Sequence, residues 1–151
     1  MAIVQDLYST ILKITNEMRT EMQATPGLSD SIGFFNFDAH VDETEFPDGD
    51  FIGIQAFTVD GEGEPTFEVG VAFVVSTRND KNLFRHIQMV DHIFNRLKIG
   101  NEWRVVSATD GSDVSFLYTM PGRSVLPMRP TETRQVQQVM VSFSTAEPRQ
   151  T

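Results

Sequence analysis

The chain is predicted to be an α+β protein: a mixed, mostly antiparallel β-sheet with two amphipathic helices packed on one face. Apolar residues recur at helical spacing in two separated stretches. Elsewhere the period shortens to two, as a strand requires. The segments run in the order α-β-β-β-α-β-β-β, and two helices suffice to cover one face of such a sheet. A chain of 151 residues is expected to form one domain over 1–145, followed by a flexible tail at 146–151. At that length about two thirds of the unfolded surface is buried on folding.

The first helix is set by Ile3, Leu7, Ile11, Ile14, Met18 and Met22, at gaps of 4, 4, 3, 4 and 4, with Val4, Tyr8 and Leu12 widening the stripe. Asp6, Lys13, Asn16, Glu17 and Arg19 are expected on the wetted side. Pro26-Gly27 ends the helix, since proline cannot continue it and disfavours helix in the residue before it. A strand over 32–37 leads into residues 38–50, which hold six acids and no base and read as a solvated loop.

Strands over 51–59 and 66–76 form a hairpin. In its second arm Phe67, Val69, Val71, Phe73 and Val75 alternate with Glu68, Gly70, Ala72 and Val74. The small residues of the alternate face are expected to let a helix lie close. The second helix spans 80–98, capped by Asn79 or Asp80, with Leu83, Ile87, Val90, Phe94 and Leu97 as its expected buried stripe and Gly100 at its end. Strands over 103–108, 114–119 and 135–144 complete the sheet. The connection 120–134 carries three prolines and three arginines. Loops beyond about 12–15 residues inside a compact domain are usually functional or flexible.

Charge is divided unevenly. Residues 1–75 hold 14 acids and 2 bases, and residues 76–151 hold 7 acids and 10 bases, within a net charge of −9. Such a chain can attract a copy of itself head to tail, and contacts of that kind close into rings when the rotation between copies allows. The overall negative charge opposes non-specific nucleic-acid binding. Twelve phenylalanines against one tryptophan suit a core of large apolar rings. The absence of cysteine excludes disulfides and thiolate metal sites. The longest apolar runs fall far short of the ~20 residues of a membrane span. The N-terminus has no basic region of the secretory type, so a soluble protein with no membrane partner is expected.

No stretch carries a catalytic signature, so the chain is expected not to be an enzyme and to hold no cofactor. The acidic loop offers oxygen ligands for calcium but lacks EF-hand spacing. His40 beside it brings one histidine and no coordination set. His86 and His92 lie six apart on different faces of the second helix and are expected to be surface or helix-face histidines. Gly61-Glu62-Gly63-Glu64 lacks the lysine and the following helix of a phosphate loop, and its glutamates would repel phosphate. No serine sits in a G-x-S-x-G context. The candidate site residues are therefore electrostatic. Asp38, Asp42, Glu43, Glu45, Asp48 and Asp50 form an acidic loop, and Arg123, Arg129 and Arg134 form a basic one, for a subunit interface or a channel wall. Solvated loop charges are the alternative. Reversing Arg129 and Arg134 together is expected to weaken assembly while sparing the fold.

The element order, the size and the closing stretch Arg129-Pro130-Thr131-Glu132-Thr133-Arg134-Gln135-Val136-Gln137-Gln138-Val139-Met140-Val141-Ser142-Phe143 are similar to those of tail terminator proteins of long-tailed bacteriophages. They resemble tail-completion and neck proteins more loosely. The resemblance implies a protomer of a homohexameric ring that caps the tail tube and offers a docking surface for the head. Its partners would be the tail tube protein and neck or connector proteins, with DNA passing through the lumen without specific binding. Its place would be the virion, and the host cytoplasm during assembly. Another neck, collar, head-completion or baseplate protein is the alternative, followed by a small-molecule-binding α+β domain.

Overall fold

The structure is a computed structural model, and it describes residues 3–26, 28, 32–35, 49–61, 67–78, 83–131 and 133–145. In chain order the elements are α1 (Ile3–Gln23), β1 (Ile32–Phe34), β2 (Asp50–Asp60), β3 (Glu68–Arg78), α2 (Leu83–Arg96), β4 (Glu102–Val106), β5 (Asp113–Thr119), β6 (Ser124–Val125), β7 (Arg129–Pro130) and β8 (Arg134–Thr145). They make the expected α+β fold. The strands form one 8-stranded sheet in the order β1-β2-β3-β8-β5-β4, with β6 and β7 also on β8. β1 runs parallel to β2, and every other pairing is antiparallel.

α1 forms because its apolar residues recur along one side, and Leu7, Ile11, Ile14, Met18 and Met22 are all buried. Its expected wetted side is corrected at Asp6. That carboxylate is buried and accepts a hydrogen bond from Ala108 N at 2.9 Å, tying the helix to the turn after β4.

Both helices pack on the same face of the sheet, against Val69, Val71, Phe73 and Val75 of β3 and Val139, Val141 and Phe143 of β8. The small-residue face of β3 points away from them, which corrects the expectation of a helix against Gly70 and Ala72. Covering the large side chains removes more apolar surface from water, about 2 kcal/mol for each valine or phenylalanine buried. Trp103 closes the core at the β4 side, its ring edge-on to Phe143 with centroids 5.8 Å apart.

The buried side of α2 also differs from expectation. Leu83 and Ile87 are each 46% exposed, and the buried residues are Arg85, His86, Met89, Val90 and Ile93, followed by Leu97. This face also has spacings of three and four, so periodicity alone cannot choose between the two. The choice falls to partners in the sheet that satisfy Arg85 and His86.

The connection 120–134 is not a free loop. Three prolines prevent a continuous strand, yet the segment runs along the outer edge of β8 as a broken one. Met120 N donates to Ser142 O at 2.8 Å, β6 pairs with Met140 and Val139, and Leu126 N donates to Gln138 O at 2.9 Å. β7 pairs with Val136 and Gln135, and a turn closed by Thr131 N on Arg134 O at 2.7 Å leads into β8. β8 is thus paired along both edges. At the far side of the sheet a Cβ on Gly53 would overlap the Phe35 carbonyl, so glycine is needed where the chain leaving β1 crosses β2. Among the described residues no helix is long and apolar enough to cross a membrane.

Candidate interaction surface

Asp50, Thr77, Arg85, His86 and Gln137 meet under the N-terminal half of α2. Asp50 opens β2 and is buried, its Oδ2 accepting from Arg85 Nε at 2.7 Å and its Oδ1 from Arg78 N at 3.0 Å. Gln137 Nε2 donates to Leu126 O at 2.9 Å, which leaves Gln137 Oε1 facing His86 Nε2 at 3.0 Å. His86 therefore donates from Nε2 and accepts the Thr77 hydroxyl at Nδ1, 2.8 Å away. Both ring nitrogens are spent and the side chain is 0% exposed, so this histidine offers nothing to a substrate. The expectation of a surface histidine is corrected here.

Burial pushes the His86 imidazole below its ordinary value of 6.5, and the bond to Gln137 and the nearby Asp50 carboxylate oppose that push without cancelling it. Above 6.5 both folded and unfolded chains carry His86 neutral. Below it the unfolded chain takes the proton first, so stability falls as the pH falls. Denaturant midpoints should drop between about pH 7.5 and about pH 5.5, and the drop should be shallower in a His86→Asn variant. Equal acid slopes in the two proteins would remove His86 as the source.

His92 is partly exposed. With Arg96 it holds Glu21 of α1, at 3.0 Å and 3.2 Å respectively. Burial raises the Glu21 carboxyl, but these two partners outweigh it and hold the group below its ordinary range. The contact joins the two helices at their C-terminal ends.

The residues expected to form the acidic and basic loops part company. Asp38, Asp42, Glu43, Glu45 and Asp48 lie outside the described residues, as does His40. Asp50 is no loop residue: it is a buried ion-pair partner on the helix side of the sheet, which corrects its assignment to an interface or lumen. Arg134 is corrected in the same way. It is 5% exposed, donates from Nη1 to Gly49 O at 2.9 Å and Ser76 Oγ at 3.3 Å, and lies 5.1 Å from the Phe51 ring. Arg123 is partly buried, its guanidinium 4.0 Å from the Phe94 ring and donating to the carbonyls of Phe94 and Leu97 at the end of α2. Cations there complement the helix dipole. Arg129 alone of the three stands exposed, and its guanidinium meets no acceptor among the described residues.

Arg129 borders a recess of about 170 Å³ on the sheet face that the helices leave uncovered, lined by Gln55, Leu126, Pro127, Arg129, Val136 and Gln138. Gln55 is the extra residue of a bulge, where the β2 register jumps from Ile54↔Phe73 to Ala56↔Ala72. Its Oε1 accepts from Gln138 Nε2, a bond that passes across β3 beside the buried Val74. The other end of this face is acidic. Asp60 and Glu68 are cross-strand partners, and the same row continues through Ser144 and Tyr118 to Glu102. All three acids are exposed.

No protein-family model matches the chain, and no curated protein sequence matches it. The site is therefore read from its own chemistry. Among the described residues no group of three histidines or acids is placed to hold a metal ion. What stands out is a sheet face with opposite charges at its two ends. Sequence reasoning singled out Arg129 but passed over Asp60 and Glu68. Their signal was available: equivalent positions on the two arms of a hairpin, on the polar side of the alternation.

Proposed function

We propose that this protein is a structural subunit of a bacteriophage tail neck, a tail terminator whose copies form a ring on the tail tube. The observation that carries this reading is the sheet face turned away from the helices, with an exposed acidic row at one end and, at the other, a recess beside an exposed arginine that meets no acceptor among the described residues. A surface of that polarity suits head-to-tail contact between identical copies, the contact from which rings are made. The α+β layout with both helices on one face is in keeping with the family that the closing stretch resembles. The buried polar groups support the reading in a different way: Asp50, Arg85, Arg134 and His86 are bound to each other's strands and helices, so they hold the protomer rigid. A ring subunit needs such rigidity to fix the angle between neighbours.

In this reading the ring is hexameric and stops growth of the tail tube. It takes the tube protein below and a neck or connector protein above, and lets DNA through a lumen whose negative field gives the phosphates no grip. The protein would then act within the virion by shape and charge.

The test is native mass spectrometry at physiological ionic strength, alone and with the tail tube protein. The expected species is a closed ring, present alone or formed on the tube. A protomer that stays single in both conditions would sink the proposal. Particles labelled at this subunit should show it at the junction of head and tail under the electron microscope.

A further inference from the structure

The charges at the two ends of the face turned away from the helices have no means of neutralising one another within a protomer. Along β3, Glu68 and Ser76 are eight residues apart, and Ser76 shares its row with Val136 and Arg129. At about 3.3 Å per residue the acidic row and Arg129 are therefore roughly 26 Å apart, several times the Debye length of about 8 Å at physiological salt.

Each end carries a feature unsatisfied among the described residues. Asp60 and Glu68 face each other across β2 and β3, a like-charge pair that costs stability in an isolated protomer. Neither meets a cation among the described residues. At the opposite end, Arg129 stands at the mouth of a concave site whose walls are apolar, from Leu126, Pro127 and Val136, and whose remaining polar groups are the amides of Gln55 and Gln138. An arginine, two amides and apolar walls suit a carboxylate carried on a hydrocarbon stem.

We infer that the recess beside Arg129 receives the Asp60 and Glu68 side chains of a second copy of this chain. The occupant is argued from charge complementarity: the acidic strand ends fit a basic recess that the same protomer cannot reach. Placing Arg129 against them relieves the Asp60–Glu68 repulsion and gives the guanidinium two carboxylates at once. The ring reading makes the contact heterologous, with each copy's acidic end and basic end meeting different neighbours. It rests on the ring reading above and names the residues that set its register.

The chain has no cysteine, so engineered thiols report on this contact without background. The first measurement is sedimentation velocity of the wild type, Arg129→Glu, the pair Asp60→Lys with Glu68→Lys, and the triple variant combining all three. Either reversal should weaken assembly about tenfold or more, because like charges then face each other. The triple variant should recover assembly to within about threefold of the wild type. The second measurement is cross-linking of an equimolar mixture of Arg129→Cys and Glu68→Cys proteins with a short bis-maleimide. Mixed dimers should form, well above the yield of either protein alone.

Reversal variants that assemble as the wild type does, or a triple variant no better than its parents, would overturn this pairing while leaving the ring reading in place. A wild type that stays single at every concentration, alone and with the tail tube protein, and gives no mixed cross-link in either condition, would overturn both.

Discussion

Replacing Asp50 with alanine is expected to cost about 3–5 kcal/mol of folding stability, the usual consequence of leaving a buried charge without its partner. Arg85 would be the stranded group: its side chain is 9% exposed and Nε has Asp50 as its ion-pair partner at 2.7 Å. The backbone N–H of Arg78 would lose its acceptor as well. The loss comes from stranding a cation, and the attraction itself adds little. A combined Asp50→Leu and Arg85→Met variant should therefore recover the part of the loss due to the stranded cation, because apolar residues of similar volume replace a buried pair at little net cost, while the Arg78 N–H still lacks its acceptor. Guanidinium denaturation of the two single variants and the double variant gives the comparison. If the double variant loses as much as the two singles together, the account fails.

The same residue shows where sequence reading stops. α1, the β2–β3 hairpin and β8 were legible because each has one apolar face, and periodicity assigns a single face without knowledge of neighbours. Asp50 looked like the last acid of a solvated loop because charge in a sequence is silent about partners. Arg85 is 35 residues further on, and Gly49, which accepts from Arg134, is 85 residues before it. Pairings over that separation exist only once the sheet has brought β2, β3 and β8 side by side. The α2 face was legible only in part: Val90 and Leu97 are buried as expected and Phe94 packs on the core, while Leu83 and Ile87 are exposed, for a related reason. Two apolar stripes compete on that helix, and the one that wins contains Arg85 and His86, which are acceptable inside only because Asp50, Thr77 and Gln137 await them.

The connection 120–134 misled in the opposite direction. Its prolines signal a break in regular structure, and they do break the strand. They do not prevent β6, β7 and the amides of Met120 and Leu126 from pairing with β8. Arg123 and Arg129 therefore sit on a tethered edge. Only Arg129 is left with its charge facing outward. For the candidate surface, what the sequence lacked was the row structure of the sheet. The sum of charges per half-chain anticipated a polarity, and strand register converts it into two ends of one face.

Arg134→Glu should behave unlike Arg129→Glu, although the two were at first expected to act together. At position 129 the side chain is exposed, so reversal should leave folding stability within about ±0.5 kcal/mol and register only in assembly. At position 134 a carboxylate would face the Gly49 carbonyl and the Ser76 hydroxyl where a donor stood, and would lie against the negative face of the Phe51 ring. Arg78, directly across the ladder, offers the new carboxylate a cation and limits the damage. The expected loss is about 2–4 kcal/mol, the range for an acceptor forced into a buried site built for a donor. For a domain of this size that lowers the melting temperature by roughly 4–16 °C, against no more than about 2 °C for Arg129→Glu. Arg134→Met keeps an apolar stem over Phe51 without burying a carboxylate, so it should fall between the two. Equal melting temperatures for the two reversals would mean that Arg134 is wetted like Arg129. Both arginines would then return to the candidate interface.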